Sequence, residues 1–444
     1  MSASELSRRE FMEGMSAAAA FTIVPRHVLG RGYQAPSDTL NFACIGVGGM
    51  GWNDVRGVGR ENVLALCDVD ARSAQRAFAA FPKAKRYVDF REMLAKEGDG
   101  IDAITVSTPD HVHAAATMAG LRMKKHVYCQ KPLTRTLHEA RTVAAEAARA
   151  GVTTQMGNQG HAGEGVRLIR EWVDAGLIGA VREVHYWTNR PIWPQAIDRP
   201  TEAHHAPPTL NWDLWLGPSA ERPYHPAYAP FRWRGWWDFG TGALGDMACH
   251  AMDAAFWVLD LGYPERIQAD VTEWYAETAP KSSRIEYAFG PKGARPGVTV
   301  VWRDGSLLPP APPEVVDPRA WPPSWDGGQL WIGDDGKLVA GVYGENPRLL
   351  DAAKHEEVTA NPLPQTYPRV ENVYAEWISA IKAGTKSGSD FATAAGPLTQ
   401  MVLLGNLAVR TGRALDLDPQ TGEVTNVPIP PELIRPAYRD GWTL

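Results

Sequence analysis

Two residues four apart, Asp246 and His250, lie in the helix-like run Gly240-Thr241-Gly242-Ala243-Leu244-Gly245-Asp246-Met247-Ala248-Cys249-His250. At that spacing they share one helix face. Imidazole titrates near neutrality, so His250 suits removal of a hydroxyl proton as hydride leaves the same alcohol carbon. A lysine ammonium complements such a base by polarising the oxygen and stabilising the developing alkoxide. Lys131 stands in the strand-like piece Tyr128-Cys129-Gln130-Lys131-Pro132-Leu133. Asp253, three residues past His250, either orients that ring or solvates the helix. An Asp/His pair also suits a metal, but no third ligand is evident and none is expected.

A second signal concerns what would accept the hydride. Gly46-Val47-Gly48-Gly49-Met50-Gly51 follows an apolar, strand-like run from Leu40 to Val47. Gly46 permits the tight turn, Gly48 lets the backbone approach a pyrophosphate, and Gly51 allows close packing of strand and helix. A second apolar run, Asn62 to Cys67, ends in Asp68, about 20 residues beyond the glycines, where a carboxylate can meet an adenosine ribose. The expectation is a bound dinucleotide held by Gly46, Gly48, Gly49, Met50, Gly51 and Asp68. Asp68 would repel a 2′-phosphate, which favours NAD over NADP; Arg72 argues weakly the other way.

The elements that position these groups alternate. Strand-like runs at Ile101 to Ser107 and His126 to Cys129 frame helix-like segments, and Thr136 with Glu139 is a capping box opening an Ala-rich helix that stops at Gly151. Alternation implies a parallel sheet covered on both faces. Ligands sit at the carboxyl ends of such strands. Thr108, Pro109, His111 and His113, then Gln130 and Lys131, are therefore expected at the nicotinamide, with Asn158 completing the cofactor set.

The 444 residues suffice for two domains; 44% are hydrophobic and 22% charged, and the net charge is -6. That balance argues against a nucleic-acid partner. No apolar run is evident at the roughly 20 residues a membrane span needs, and no membrane insertion is expected. The four cysteines, Cys44, Cys67, Cys129 and Cys249, lie in apolar runs without metal spacing and read as reduced core thiols.

Ser7-Arg8-Arg9-Glu10-Phe11-Met12, followed by a mildly apolar stretch from Met15 to Val24, resembles a twin-arginine export signal. Residues 1–37 are set aside as signal or arm, with export to the periplasm or cell exterior expected in folded form. Without use of the signal the chain would stay cytoplasmic.

From Asn41 to beyond Gly412 the chain resembles the Gfo/Idh/MocA oxidoreductases. The matching pieces are the glycine motif, Thr108-Pro109-Asp110-His111-Val112-His113, the lysine motif, and the run from Gly240 to His250. The family's lysine motif is normally Glu-Lys-Pro; Gln130 replaces the glutamate, which implies altered tuning of the lysine. The resemblance implies that Lys131, Asp246 and His250 act together. It also implies a Rossmann domain over 38–160 and an α+β domain over 161–444 with a large, mostly antiparallel open sheet. Helices over about 368–412 would pack back on the first domain, and a homo-oligomer would form through the sheet.

Tryptophan is abundant, with 17 copies, many in loops before the Asp246 helix. Flat aromatic faces suit sugar rings, and Arg or Asn forks onto hydroxyls. Either these residues hold sugar or they fill a loop-rich subdomain. The expected substrate set is Lys131, Gln159, His161, Arg190, Trp193, Arg232, Trp236, Asp246, His250 and Tyr343. The family's long, signal-bearing branch implies NAD-dependent oxidation of a sugar or glycoside hydroxyl, commonly at carbon 3 of a pyranoside. Its alternative is redox-neutral glycoside cleavage with retained NAD; oxidation is favoured because cleavage needs an extra base or acid near carbons 1 and 2, for which His161, His225 and Tyr343 are the candidates. A sensor without turnover, or a cytoplasmic inositol- or biliverdin-type reductase, are the competing readings.

Overall fold

The computed structural model describes residues 38–202, 204–315, 317, 321–324 and 326–444. The twin-arginine segment lies outside the described residues.

Two sheets organise residues 41–444. The first alternates β1 (Asn41–Ile45), α1 (Gly51–Val58), β2 (Asn62–Cys67), α2 (Ala71–Ala80), β3 (Lys85–Tyr87), α3 (Phe90–Glu97), β4 (Ala103–Val106), α4 (Asp110–Arg122), β5 (His126–Cys129), α5 (Leu137–Ala150) and β6 (Thr154–Met156). All its strands are parallel, in the order β3-β2-β1-β4-β5-β6. The order reverses between β1 and β4, the point where such sheets open a crevice for a ligand. Near-continuous burial of β1, β4 and β5 follows from their apolar runs, since helices cover both faces. The capping box forms: Thr136 Oγ1 accepts from Glu139 N, and Thr136 N donates to the Glu139 carboxylate. Gly151 ends α5 at φ +67, a left-handed stop.

The second half contains α6 (Glu164–Asp174), β7 (Val181–Thr188), α7 (Trp212–Leu216), α8 (Gly242–Ala251), α9 (Asp253–Val258), β8 (Arg266–Val271), β9 (Ser283–Phe289), β10 (Val298–Arg303), β11 (Gly327–Gly333), β12 (Lys337–Gly341), β13 (Arg348–Leu349), α10 (Ala352–Ala360), α11 (Val373–Ala383), α12 (Gly396–Thr411) and β14 (Leu415–Asp416). Its eight-stranded sheet runs β13-β12-β11-β7-β10-β9-β8-β14, antiparallel except at β7 and β10. The fold is α/β, a Rossmann domain followed by a domain built on a mostly antiparallel sheet.

Helix α12 joins the halves, packing on α5 of the first and on α8 and β8 of the second. With the turn before it, Phe391–Thr411 is long and apolar enough to cross a bilayer by length and composition, which corrects the expectation that no such run exists. It is mostly buried inside the protein and serves as a core helix.

The first sheet is completed from far along the chain. Met156 N donates to Ser389 O, Thr154 Oγ1 to Asp390, and the Trp377 indole to Thr153 O, while Trp377 sets its edge on Phe42. Residues 189–241 form a loop-rich layer with its own small core of Trp215, Tyr228, Trp233, Trp236 and Phe239. It is stitched to the first domain: Ala71 N donates to Thr209 O and Asn211 N to Val69 O. Near the C-terminus Arg439 pairs with Asp213 at 2.6 Å, and Trp442 lies under the Arg91 guanidinium at 4.3 Å. All four cysteines are free and buried.

Candidate active site

The turn after β1 bends back because Gly46 takes φ +75. A Cβ there would meet Ser107 O at 2.7 Å, and one at Gly51 would meet Gly46 O at 1.9 Å, so strand, turn and helix close only with glycine at both. Gly48 packs on Ser73 of α2, while nothing lies within 4 Å of a Cβ at Gly49. Gly49 is thus the glycine that faces open space. In front of it lies a cavity of about 760 Å³, bordered by Gly46, Gly48, Gly49, Met50, Asp68, Arg72, Thr108 and Pro109 on one side. Leu210, Trp215, Tyr224, Phe231, Trp233, Arg234 and Trp442 form the other. Its position at the switch point, its volume and its exposed glycine turn fit a dinucleotide.

Arg234 leads from this cavity to the polar centre. Its Nε donates to Asp246 Oδ1 at 3.1 Å, and Lys131 Nζ donates to the same oxygen at 2.9 Å and to the Asp246 carbonyl at 2.8 Å. Lys131 reaches there because it follows β5, and Asp246 because α8 begins at Gly242 after the aromatic loops. Burial alone would push the Asp246 carboxyl up; Lys131 and Arg234 outweigh it and hold it at about 2. His250, one turn further along α8, is 6% exposed, and its Nδ1 has no partner. Burial first, then the Lys131 charge, lower its pKa well below the usual imidazole value. The ring is neutral at neutral pH, in the form that accepts a proton. Tyr343 sets its ring edge-on to His250 at 4.8 Å, and the charges of Lys131, Asp246 and Arg190 all reach its hydroxyl.

The structure therefore brings Lys131, Asp246, His250 and Tyr343 together, with Arg190 nearby. Gln159 is half-buried at the start of a 3-10 turn, its Nε2 lacking a partner. Trp193 is buried beneath the Arg234 guanidinium, 5.7 Å from it, with its indole bonded to Gln195. Asp68 borders the cavity, but its oxygens accept from Val47 N, Gly48 N and Asp70 N, so it also braces the glycine turn rather than waiting free for a ribose. A carboxylate retains acceptor capacity beyond those bonds.

Other expectations need correction. His111 presents its ring nitrogens to the carbonyls of Phe239 and Trp215, and His113 to those of Pro132 and Thr108. Both are buried ties between loops, not cofactor contacts. Asn158 and His161 turn away from the cavity to Asp253: Asn158 Nδ2 donates at 2.9 Å and His161 Nδ1 lies 2.9 Å from the carboxylate. Asp253 consequently does not orient His250. Trp236 is fully buried, its indole on Ala227 O, in the core of the aromatic layer. Arg232 is exposed, and its neighbour Arg234 is the site arginine, because successive residues of a 3-10 turn point about 120° apart. Gln130 turns to Asp54, not to the lysine.

Asp110 lies within the motif expected at the nicotinamide but is not singled out by the sequence reading, and the charges of Lys131 and Arg234 reach it. It opens α4, is buried, and accepts from Thr241 Oγ1 at 2.7 Å. Burial raises it to about 7, against the pull of Thr241, Lys131 and Arg234. Its place in Thr108-Pro109-Asp110 is the available signal.

Two family models match the chain. An NAD-binding Rossmann fold of the oxidoreductase family, GFO_IDH_MocA, covers residues 40–158, and that family's C-terminal alpha/beta domain covers 163–295. Among curated proteins, inositol 2-dehydrogenase of Burkholderia multivorans is 31% identical over 153 residues, 33% of this chain and 45% of that protein. The 1,5-anhydro-D-fructose reductase of Ensifer adhaerens is 28% identical over 210 residues, 46% of this chain and 51% of that protein. The chain spans about half the length of the curated relatives it matches. Among solved structures, levoglucosan dehydrogenase in complex with NADH and L-sorbose superposes with TM-score 0.60 at 16% identity, over 85% of this chain and 98% of that one. The WlbA dehydrogenase from Bordetella pertussis, in complex with NADH and UDP-GlcNAcA, gives TM-score 0.58 at 18% identity, over 86% and 99%. At those identities the likeness establishes the fold.

Proposed function

The chain belongs to the Gfo/Idh/MocA family of oxidoreductases, and from that premise we propose that it oxidises a hydroxyl of a sugar or glycoside, at carbon 3 of a pyranoside. The observation that carries this reading is the buried, neutral His250 ring beside the Lys131–Asp246 pair, with Arg234 joining that pair to the glycine-lined cavity. NAD, held by the glycine turn, Asp68 and the Thr108-Pro109 corner, supplies the hydride acceptor when bound. His250 takes the hydroxyl proton on its neutral imidazole. The Lys131 ammonium stabilises negative charge gathering on the substrate oxygen. Asp246 anchors that ammonium and keeps Arg234 at the rim, and Tyr343 walls the ring. Relatives named as inositol and anhydrofructose enzymes, and a neighbour solved with levoglucosan, favour a polyol or sugar ring.

Cleavage would need a further acid or base at carbons 1 and 2. Of its candidates only Tyr343 borders His250: His161 is bound to Asp253, and His225 accepts from Ala227 N in the aromatic layer. A pure sensor has no use for the proton-transfer set. The test is a glycoside panel read for keto product against released aglycone; free aglycone without net NADH would replace oxidation by cleavage. We also propose folded export through Arg8 and Arg9; normal export of the double variant Arg8→Lys with Arg9→Lys would overturn it. Association through the large sheet is proposed, and a monomeric mass by light scattering would exclude it.

A further inference from the structure

Helix α8, which carries Asp246 and His250, opens without the cap its sequence offers. Thr241 is its N-cap, and a threonine there ordinarily turns its hydroxyl to the amides of the helix's first turn. In α8 no such bond forms. The hydroxyl leaves the helix and donates to Asp110 Oδ2 at 2.7 Å, across 131 residues of sequence. Gly245 clears the place for it, since a Cβ there would meet Thr241 Oγ1 at 2.0 Å. The Thr241 carbonyl is held as well, by Gly245 N at 3.2 Å and by the Asn406 amide of α12 at 2.8 Å.

Asp110 stands at an equally particular place. It is the first residue of α4 and follows the Thr108-Pro109 corner, which borders the large cavity. The next residue, His111, donates its backbone N–H to Phe239 O at 3.3 Å. Two consecutive residues of α4 thus grip the short segment 239–241 that leads into α8. The tether needs only an acceptor oxygen on Asp110. An ionised carboxylate supplies it, and so does a neutral acid with its proton on the other oxygen. Burial raises this carboxyl to about 7, and both forms meet the requirement.

A bond from Thr241 to its own helix would serve the helix alone. Sent to α4, the same hydroxyl fixes where α8 stands against the corner of the cavity. We propose that the Asp110–Thr241 bond holds Asp246 and His250 in register with the Thr108-Pro109 corner. Thr241 and Asp110 are positioning residues, and neither exchanges a proton with substrate. This inference rests on the reading of the cavity as an NAD site and of His250 as the base.

The test compares the full-length parent with Thr241→Val, which keeps the shape and deletes the donor, and with Thr241→Ser, which keeps the donor. Hydrogen exchange of the α8 amides is measured with and without saturating NAD⁺. In the parent NAD⁺ is expected to slow exchange along α8. In Thr241→Val that slowing should be lost with the NAD⁺ dissociation constant little changed, and Thr241→Ser should restore it. On the glycoside panel, kcat of Thr241→Val should fall roughly tenfold to a hundredfold, the scale of a misplacement near 1 Å. The sugar KM should hold, and Thr241→Ser should recover most of the loss. A parent-like kcat in Thr241→Val overturns the proposal, as does a loss that Thr241→Ser fails to recover. Should Thr241→Val fail to fold, Asp110→Ala removes the acceptor from the other side and is read in the same way. If the parent turns over no sugar, the base reading fails and the exchange arm decides alone: slowing that persists without the hydroxyl overturns the tether. If the parent does not bind NAD⁺, the cofactor reading fails and takes this inference with it.

Discussion

Two carboxylate–imidazole regions have their acids on consecutive helices, α8 and α9, and they are built to different ends. In one, Asp246 gives its side chain to Lys131 and Arg234, and His250 Nδ1 is left without a partner. In the other, Asp253 takes His161 Nδ1 on both oxygens and Asn158 Nδ2 on one. Both histidines are buried and both lie near acids, so burial and residue type do not separate them. What separates them is whether the acid holds the imidazole: Asp253 holds His161, and Asp246 is given to Lys131 and Arg234 instead of His250. A ring held by a carboxylate is scaffold; a neutral ring that no side chain holds is left for a ligand. The pKa directions agree. Burial works against charge on both rings, but Asp253 overrides it and raises His161, whereas Lys131 adds to it and His250 stays neutral.

The sharpest way to break this comparison is His250→Ala. A positioned base is worth ~10²–10⁴ in rate, so kcat should fall by that much while NAD affinity and the melting temperature hold. Turnover like the parent's would remove the base assignment. Lys131→Ala should fall comparably, and its residual activity should carry a second mark. The acid limb of the parent's kcat/KM is expected below the ordinary histidine range, because burial and Lys131 depress His250. Removing the lysine charge should move that limb to higher pH.

The complementary region should answer in stability. Asp253→Asn is expected to cost about 3 kcal/mol in denaturant unfolding, the lower end for breaking a buried pair, with kcat little changed. His161 has a folded pKa above its unfolded value, so the pair's contribution is complete below about pH 6.5 and fades as pH rises through the folded pKa. Parent and variant should converge in alkali. A large kcat loss with intact stability would reverse the two regions' roles.

The smallest expected effect separates neighbours. Arg234→Ala removes a charged hydrogen bond to Asp246 and should lower kcat/KM roughly ten- to a hundredfold. Arg232→Ala should stay within about twofold. Equal losses would place sugar recognition on the outer arginine after all.

The pattern of success follows the range of the interactions. The glycine turn, the capping box at Thr136 and the shared face of Asp246 and His250 are set by residues close in sequence, and all three are where spacing puts them. The roles of His111, His113, His161 and Asn158 depend on partners about 20 to more than 100 residues away, such as Phe239, Pro132 and Asp253. Spacing assigns a side chain to a face but does not say what lies opposite. Gln130 shows this most clearly. Beside Lys131 in sequence, it reads as tuning the lysine; across the fold it meets Asp54. Trp236 and Arg232 stand out in sequence for their aromatic setting, and that setting is a local core whose turn directs Arg234 to the site instead.

The first sheet is finished by Trp377, Ser389 and Asp390, and its cavity is roofed by Leu210, Phe231 and Trp442. The nucleotide-binding half is therefore not a portable cassette. Cut free after residue 160, it would bare Phe42 and the β6 edge, a template for aggregation. Joining segments more than 200 residues apart also places much of the loop-closure entropy ahead of the contacts that repay it, so folding should be slow and should complete both halves together. A chimera meant to change substrate by exchanging the second half would have to carry residues 373–411 and the Trp442 segment along with the Rossmann sheet.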